Sequence, residues 1–168
     1  MNIDKFTEKA QETISLSQEI GIRLGHQQID GEHLHLAMVN QEEGLIPKLI
    51  SYMGINVQMY IGDVAQQLEK LPKAYGSGAT SMYATRRFNE ILLRAEDEAK
   101  KFKDDYTGVE HIFIALLKEK DTPSQSIFMR YGINLEKFMG ALSKVRSNQR
   151  ITSKNPEETY DALKRFGR

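Results

Sequence analysis

Cysteine is missing from this sequence of 168 residues. Its absence excludes a disulfide framework, a zinc site built from thiolates and any chemistry that needs a nucleophilic thiol, and it agrees with a reducing compartment. The sequence also lacks a run of the roughly 20 apolar residues that span a bilayer, and its charged N-terminus lacks the apolar core of a secretory signal. We therefore expect a cytoplasmic location and no membrane partner.

An excess of charge of either sign is missing too, because 23 Lys and Arg residues balance 23 Asp and Glu residues. A balanced charge offers no broad attraction for the phosphates of nucleic acids or for anionic lipids. None of the 12 glycines is followed by lysine, so the chain lacks the loop that holds nucleotide phosphates. We expect no nucleic-acid partner and no cofactor in this chain.

What the chain does contain is an internal repeat. Residues 32–39 (EHLHLAMV) return as residues 110–117 (EHIFIALL), and residues 52–56 (YMGIN) return as 130–134 (RYGIN), both displaced by 78 positions. The same offset runs without a gap from Thr7 to Gln67, and nine of these 61 pairs are identical. Apolar character is kept as well, so the duplication preserves a buried pattern.

Each repeat has the apolar periodicity of helices. From Thr85, apolar residues at spacings of three and four predict a long amphipathic helix, with a counterpart over residues 7–24. A shorter and more apolar helix follows at residues 31–40 and 108–118, and we expect it inside the bundle. No segment shows the strict alternation of a strand. The buried stripe of the second long helix comprises Phe88, Ile91, Leu92, Ala95, Ala99 and Phe102.

The repeated Gly-Ile-Asn motif predicts the corner between the third and fourth helices of each repeat. Gly54 and Gly132 are expected to end a helix in the left-handed conformation, and Asn56 and Asn134 to cap the next one. Each repeat therefore has four predicted helices. The expected fold is all-α, an eight-helix bundle whose two four-helix repeats are related by a pseudo-two-fold axis.

Two segments lack apolar periodicity. Residues 76–81 (GSGATS) predict a flexible connector, and the periodicity stops after Val145. From Asn155, the sequence Asn-Pro-Glu-Glu is typical of the start of a further helix. The expected organisation is a domain over residues 1–148, with the first repeat at about 7–70, a connector at 71–84 and the second repeat at about 85–147, followed by a linker over residues 149–168.

The histidines raise the question of a metal site. His33 lies next to Glu32 and seven residues after His26, and His111 lies next to Glu110. Adjacent residues on a helix point about 100° apart, so they cannot converge on one ion as residues four apart do. We expect His33 and His111 to form a local hydrogen bond at a helix start, and we expect no metal ligand.

Glu110 has two interpretations that stay open at this point. In the first, Thr107 and Glu110 form a capping box at the start of the helix. In the second, Glu110 recognises a partner at the surface. The first repeat has Ile29 in place of Thr107, so Asp30 would be its cap, and yet Glu32 is retained. A glutamate that persists without its capping partner keeps the second interpretation open.

Other polar residues have simpler explanations. Thr7 and Thr85 precede the long helices and are predicted to be their N-caps. Asp104, Asp105 and Asp121 are expected to be solvated acids in loops.

Three apolar residues, Leu16, Ile22 and Leu93, lie off the buried stripes of the long helices. They would either pack against the other repeat or form an exposed apolar groove for segments of a partner. The pattern alone leaves both interpretations open.

Five short motifs carry a resemblance to a known family. They are Phe6–Gln11, Leu24–His26, Ile29–Leu34, Leu71–Lys73 and Val109–Ile112. Together they resemble the Clp amino-terminal domain, the duplicated eight-helix module at the front of the Clp class of AAA+ protein-remodelling ATPases. The similarity covers about residues 1–148. Residues 160–168 resemble the lead-in to the first ATPase module of a ClpB-type disaggregase, so we expect this chain to be a piece of a longer protein.

The resemblance implies a domain that docks substrates. In ClpB-type proteins the module engages unfolded or aggregated polypeptide and passes it to a ring of ATPase domains. ATP and magnesium would then belong to the parent protein, which is expected to be a homohexamer. The family associates substrate handling with a threonine, an aspartate and a glutamate that correspond here to Thr7, Asp104 and Glu110.

A ClpC-type parent is the alternative. Related ClpC and ClpA modules dock adaptor proteins, and in some ClpC relatives the two repeat glutamates, here Glu32 and Glu110, recognise phosphorylated arginine. This chain departs from the ClpC pattern in two places. Asp104 stands where a Gly-His pair is usual, and Ile29 lacks the small hydroxyl-bearing neighbour of that pattern. The departure weakens the phosphoarginine hypothesis.

Two classes of function therefore stand at this point. One is a binding module that captures a partner without chemistry, and the other is a small metal-assisted or acid-base enzyme built on the repeated Glu-His pair. The missing nucleotide loop and the divergent ligand positions favour the binding module. We expect this chain not to be an enzyme.

The first prediction is that this chain hydrolyses no ATP by itself, because it has no glycine-lysine loop to hold the phosphates. Phosphate release should equal that of a heat-inactivated control. Turnover above the control that scales with protein concentration would contradict the prediction.

Overall fold

The protein is described by a computed structural model over residues 2–73, 82–147 and 150–156. Within these ranges the chain forms eight α-helices after a 3-10 turn at Ile3–Lys5. The connector predicted at residues 76–81 lies outside the described residues, as does the helix predicted from Asn155 beyond Pro156. The first repeat contains α1 (Glu8–Arg23), α2 (Gly31–Val39), α3 (Leu45–Tyr52) and α4 (Val57–Glu69), and the second contains α5 (Arg86–Lys101), α6 (Val109–Lys118), α7 (Pro123–Tyr131) and α8 (Leu135–Arg146).

The predicted starts of the two long helices are confirmed. The Thr7 hydroxyl accepts a hydrogen bond from the Ala10 amide at 3.1 Å, and the Thr85 hydroxyl accepts one from the Phe88 amide at the same distance. Each bond satisfies one of the backbone donors that a helix leaves free at its first turn.

Both Gly-Ile-Asn corners have the predicted geometry. Gly54 and Gly132 have φ values of +81° and +68°, the left-handed conformation that glycine adopts without strain. The side chains of Asn56 and Asn134 then cap α4 and α8. The same three residues therefore turn the chain in the same way in both repeats.

Helices α2 and α6 occupy the interior, as their apolar content predicts. Every residue of α2 is buried, and so is α6 from Val109 to Leu116. The apolar stripe of α5 faces this interior and is buried from Phe88 to Ala99, while Phe102 at its end is half-buried.

The helix contacts are those of a pseudo-two-fold arrangement. Helix α1 packs on α6 of the other repeat, and the equivalent helix α5 packs on α2. In the same way α3 packs on α8 and α7 packs on α4, while α2 and α6 contact each other at the centre. The fold is therefore an all-α bundle of two four-helix repeats, as predicted.

Strand pairing is the feature that sequence analysis missed. Gln28–Ile29 (β1) pairs in parallel with Tyr83–Ala84 (β2), and Phe6 forms a parallel bridge with Thr107. The two contacts are equivalent under the offset of 78 positions. Ile29 corresponds to Thr107, and Phe6 corresponds to Ala84. Strands of one or two residues are too short to show alternation, so no periodicity predicts them.

A buried polar network joins the two repeats. Tyr60 Oη lies 2.6 Å from His35 Nε2, His35 Nδ1 lies 2.9 Å from Ser124 Oγ, and Ser124 Oγ donates to Glu32 Oε2 at 3.5 Å. Burial lowers the pKa of His35 to about 3, so the ring is neutral. Since Ser124 uses its one hydroxyl proton for Glu32, it accepts from His35 Nδ1–H, and Tyr60 donates to His35 Nε2.

The predicted hydrogen bond of His33 at its helix start is confirmed. His33 Nδ1 accepts from the Asp30 amide at 2.9 Å, so its proton lies on Nε2 and points to His26 Nδ1 at 2.8 Å. Asp30 is the N-cap of α2, as expected. Burial and the neighbouring His26 lower the pKa of His33 to about 4.

The buried network yields a second prediction. Replacing Ser124 by alanine leaves His35 without one of its partners in the interior, and we expect the free energy of unfolding to fall by about 1–3 kcal/mol. Ser15→Ala on α1 is the control, because Ser15 is exposed and its loss should cost less than about 0.5 kcal/mol. Equal values for the two variants in urea denaturation would show that the network contributes nothing.

A third prediction concerns acid stability. Because the pKa of His33 is about 4 in the folded chain and about 6.5 when unfolded, only the unfolded chain binds this proton as the pH falls from 6.5 towards 4. The free energy of unfolding should therefore decrease over that range by about 3 kcal/mol on account of His33.

The matched variant is His33→Gln, since glutamine is a common partner in a capping box but does not titrate in this range. Urea denaturation at pH 7 and at pH 4.5 should show a smaller acid loss for the glutamine variant than for the natural chain. Equal losses would show that His33 is not a source of acid sensitivity.

Candidate functional site

Three of the four candidate site residues lie together where the second repeat's central helix begins. The Thr7 amide donates to the Thr107 carbonyl at 2.9 Å, and Asp104 and Glu110 both face the guanidinium of Arg146. All three side chains are buried. We refer to Asp104, Glu110, His111 and Arg146 as the Asp104 cluster.

Asp104 is the centre of this cluster and not the solvated loop acid that the sequence predicts. Arg146 donates to both of its carboxylate oxygens, at 2.9 and 2.7 Å, and His111 Nε2 lies 2.8 Å from Oδ2. Burial by itself would raise the pKa of Asp104, but the hydrogen bonds from His111, Arg146 and the Ile151 amide outweigh it and hold the pKa below its usual value. The prediction of a solvated acid was wrong because α8 brings an arginine beneath the loop.

His111 makes the helix-start hydrogen bond that was predicted for it. Its Nδ1 accepts from the Gly108 amide at 2.8 Å, so Nε2 carries the proton and donates to Asp104. Backbone geometry at the helix start thus fixes the histidine tautomer, and the tautomer aims a donor at the buried carboxylate.

Of the two interpretations left open for Glu110, the capping box with Thr107 is wrong. The N-cap of α6 is Gly108, and His111 rather than Glu110 closes the first turn. The reason lies in the other repeat, because Thr107 donates its amide to the Lys5 carbonyl at 2.8 Å and is held in the bridge. This tertiary contact moves the helix start one residue further along.

Glu110 is buried without a capping role. Neither carboxylate oxygen has a hydrogen-bond partner among the described residues, and Oε2 lies 3.9 Å from Arg146 Nη1. Gly108 leaves the room for it, since a Cβ at that position would overlap Glu110 Oε1 and lie 3.2 Å from Ile151 Cδ1. A buried carboxylate in this state is unfavourable and therefore points to a function.

The first repeat has a different set of charges at the equivalent place. His26 and Leu68 stand where the second repeat has Asp104 and Arg146, so the buried ion pair is replaced by the His26–His33 contact. Glu32 lies at 3.8 Å from the Arg87 guanidinium, which also forms a fork with Asp30. Burial and the charge of Asp30 raise the pKa of Glu32.

A cavity of about 310 Å³ lies beside Glu32. It is bordered by Pro72 and Lys73, which follow the fourth helix of the first repeat, and by Asp30 and Arg87. In the second repeat the segment that follows α8 lies instead on the Asp104 cluster, where Ile151 is fully buried. The two repeats thus differ in what covers the start of the central helix.

Sequence reasoning missed Arg146 and Ile151. Arg146 falls on the apolar stripe of α8 after Phe138, Ala141 and Leu142, and a charge on a buried stripe is a signal for a buried partner. Ile151 is a single aliphatic residue in a polar stretch, and this signal is too weak to indicate burial. Residues 150–156 also extend the packed part of the chain beyond the boundary expected at 148.

The apolar residues off the helix stripes do not all pack between the repeats. The side chains of Ile22 and Leu93 are 69% and 50% exposed, and Leu16 is half-buried. Leu93 borders a shallow hollow that Asn2, Glu96, Asp97 and Lys100 also line. For Ile22 and Leu93 the structure therefore agrees with the interpretation of an exposed contact surface.

Within the described ranges, no group of three or more His, Asp and Glu side chains is placed to hold a metal ion. None of the helices described by the structure has the length and apolar character needed to cross a membrane.

Comparison with known proteins agrees with this architecture. Residues 5–131 match the Clp repeat (R) N-terminal domain. The chaperone protein ClpB of Clostridium tetani is 43% identical over 170 residues, an alignment that covers 100% of this chain and 20% of that protein. The chain therefore spans about a fifth of the length of the curated relatives that it matches.

Two solved structures share the fold. The Hsp104 N-terminal domain from Candida albicans has a TM-score of 0.79 at 20% identity, with 91% of this chain and 99% of that chain covered. The ClpV N-domain in complex with a VipB peptide has a TM-score of 0.62 at 16% identity, with coverages of 88% and 90%. The duplicated helices, the match over most of the chain and the high identity to ClpB lead to one conclusion: this chain belongs to the Clp amino-terminal domain family and is of the kind found in ClpB chaperones.

Proposed function

We propose that this chain is the substrate-docking domain of an ATP-dependent disaggregase. It binds unfolded or aggregated polypeptide and passes it to a hexameric ring of AAA+ domains, where ATP and magnesium are bound by other parts of the parent protein. The identity of 43% to the amino-terminal fifth of a ClpB chaperone supports the kind of parent. The ClpV relative bound to a VipB peptide supports capture of a polypeptide segment by this fold.

The observation that carries the proposal is the pair of exposed aliphatic side chains on the two long helices. Leu93 on α5 is 50% exposed beside Glu96, Asp97 and Lys100, and Ile22 on α1 is 69% exposed. Unfolded polypeptide offers aliphatic side chains that a folded protein hides. An apolar contact with a charged border binds such chains while keeping the surface hydrated.

Phosphoarginine docking has less support in this chain. Glu32 already faces the guanidinium of Arg87 at 3.8 Å, and Glu110 faces that of Arg146 at 3.9 Å. An incoming guanidinium would have to displace a resident one that is also bound in a fork by Asp30 or Asp104. We therefore propose a ClpB-type role for the domain.

Enzymatic chemistry has little support as well. Ser124, His35 and Glu32 lie in one hydrogen-bonded chain, but the acid contacts the serine rather than the histidine, which is not the order that activates a nucleophile. All three are buried, so a substrate has no access to them. We propose that the chain contributes binding and no catalysis.

The fourth prediction tests capture directly. Fluorescein-labelled lactalbumin that has been reduced and carboxymethylated stays unfolded, and we expect it to bind the chain, whereas native lactalbumin should not. Leu93→Ser should weaken binding roughly three- to tenfold, because it removes an aliphatic contact.

Met129→Ser is the control, since Met129 is 80% exposed on α7 and does not border the Leu93 hollow. Fluorescence anisotropy titrations of the three chains give the affinities, and circular dichroism checks folding. Equal binding of native and unfolded lactalbumin would argue against a docking role for unfolded polypeptide.

A further inference from the structure

Residues 150–155 lie across the Asp104 cluster as a non-helical segment. The Ile151 amide donates to Asp104 Oδ1 at 2.8 Å, and the Ile151 carbonyl accepts from the Asp105 amide at 2.8 Å. Further along, the Lys154 carbonyl accepts from the Glu8 amide at 2.9 Å. The segment thus bridges the loop before α6 and the start of α1, the two places where Asp104 and Thr7 lie.

The contacts of Ile151 and Lys154 are largely independent of sequence, whereas the exposed Arg150 side chain adds a hydrogen bond to the Lys103 carbonyl and an ion pair with Asp105. Three of them use main-chain atoms of the segment, and the side chain of Ile151 supplies the aliphatic contact beside Gly108. Residues 152–155 are exposed. Any non-helical stretch of polypeptide with an aliphatic side chain at the right place offers the same groups, as in recognition of peptides through their main chain.

The first repeat differs at the equivalent place. Beside Glu32 and next to the residues that follow α4 lies a cavity of about 310 Å³. Among the described residues, the position equivalent to Ile151 is the exposed Lys73, which borders this cavity. A buried aliphatic side chain at this position is therefore a feature of the second repeat.

We propose that residues 150–154 are an internal competitor of substrate, which an aliphatic segment of unfolded polypeptide displaces from the Asp104 cluster. When residues 150–154 are displaced, Asp104 Oδ1 accepts a hydrogen bond from a main-chain amide of the client. The Asp105 and Glu8 amides then donate to carbonyl groups of the client. The inference rests on the proposed docking function and deepens it, because it gives Asp104 a direct contact with the client.

Residues 2–8 connect the site that residues 150–154 cover with the hollow beside Leu93 on α5. Asn2 lines the hollow beside Leu93, and Glu8, six residues further, holds the Lys154 carbonyl. The hollow and the Asp104 cluster therefore lie near the two ends of residues 2–8.

Amide hydrogen exchange on the natural chain tests the displacement. With saturating carboxymethylated lactalbumin, the Ile151 amide should lose its protection, because it is released from Asp104, while the Asp105 and Glu8 amides should stay protected by the client. An Ile151 amide that keeps its protection while lactalbumin is bound would overturn the inference and leave the docking function standing. If lactalbumin does not bind, both fail together.

A variant tests the competition from the other side. Ile151→Ser removes the aliphatic anchor and should raise the affinity for carboxymethylated lactalbumin by roughly tenfold. The reason is that the conformation with the site uncovered is then no longer a minor fraction of the molecules. Thr152→Ala, an exposed neighbour, should bind as the natural chain does. An unchanged or lower affinity in a folded Ile151→Ser chain would contradict the competition.

The free heptapeptide Arg-Ile-Thr-Ser-Lys-Asn-Pro, which has the sequence of residues 150–156, provides a specificity control. It should bind the Ile151→Ser chain and compete there with lactalbumin, whereas the same peptide with serine for isoleucine should not. Equal competition by both peptides would show that the site does not select an aliphatic side chain. If Ile151→Ser does not fold, the exchange experiment on the natural chain decides the question.

Discussion

The reciprocal pairing between the two repeats is the contact on which the rest of the structure depends. The segment before each long helix pairs with the segment before the other repeat's central helix. Thr7 donates its amide to the Thr107 carbonyl, and Thr85 donates its amide to the Ile29 carbonyl, both at 2.9 Å. The same threonines cap α1 and α5 with their hydroxyls. A long helix in one repeat therefore cannot shift without moving the start of a central helix in the other.

The two repeats have the same backbone arrangement but differ in their buried charges. The first repeat places the neutral His26–His33 pair below its helix start, while the second places Asp104 in a bidentate contact with Arg146. A buried ion pair is tolerated when its oxygens and protons are satisfied by further hydrogen bonds. Asp104 meets that condition through His111 and through an amide donor from residues 150–156. In the second repeat the buried carboxylate of Asp104 thus binds the main chain of the segment that follows α8.

The local part of this architecture follows from sequence, and the part that depends on contacts between repeats does not. The caps at Thr7 and Asn134 and the turn at Gly132 involve residues within one helical turn of each other, and all three predictions were confirmed. The capping box considered for Thr107 and Glu110 does not form, because the bridge to Phe6 holds Thr107 and outweighs a local capping preference. The residues that complete the site lie about 40 positions from Asp104 along the chain, and no spacing rule connects them.

Glu110 shows why the covered site is suited to exchange one polypeptide for another. Its carboxylate is buried near Arg146, yet neither oxygen receives a hydrogen bond from the described residues, while Asp104 nearby receives four. An unsatisfied buried carboxylate makes the closed arrangement less favourable than its packing suggests. Displacement of Ile151 opens the space beside Gly108 to donors from a client or from water. The unsatisfied carboxylate of Glu110 therefore favours exchange of residues 150–154 for a client segment that brings donors.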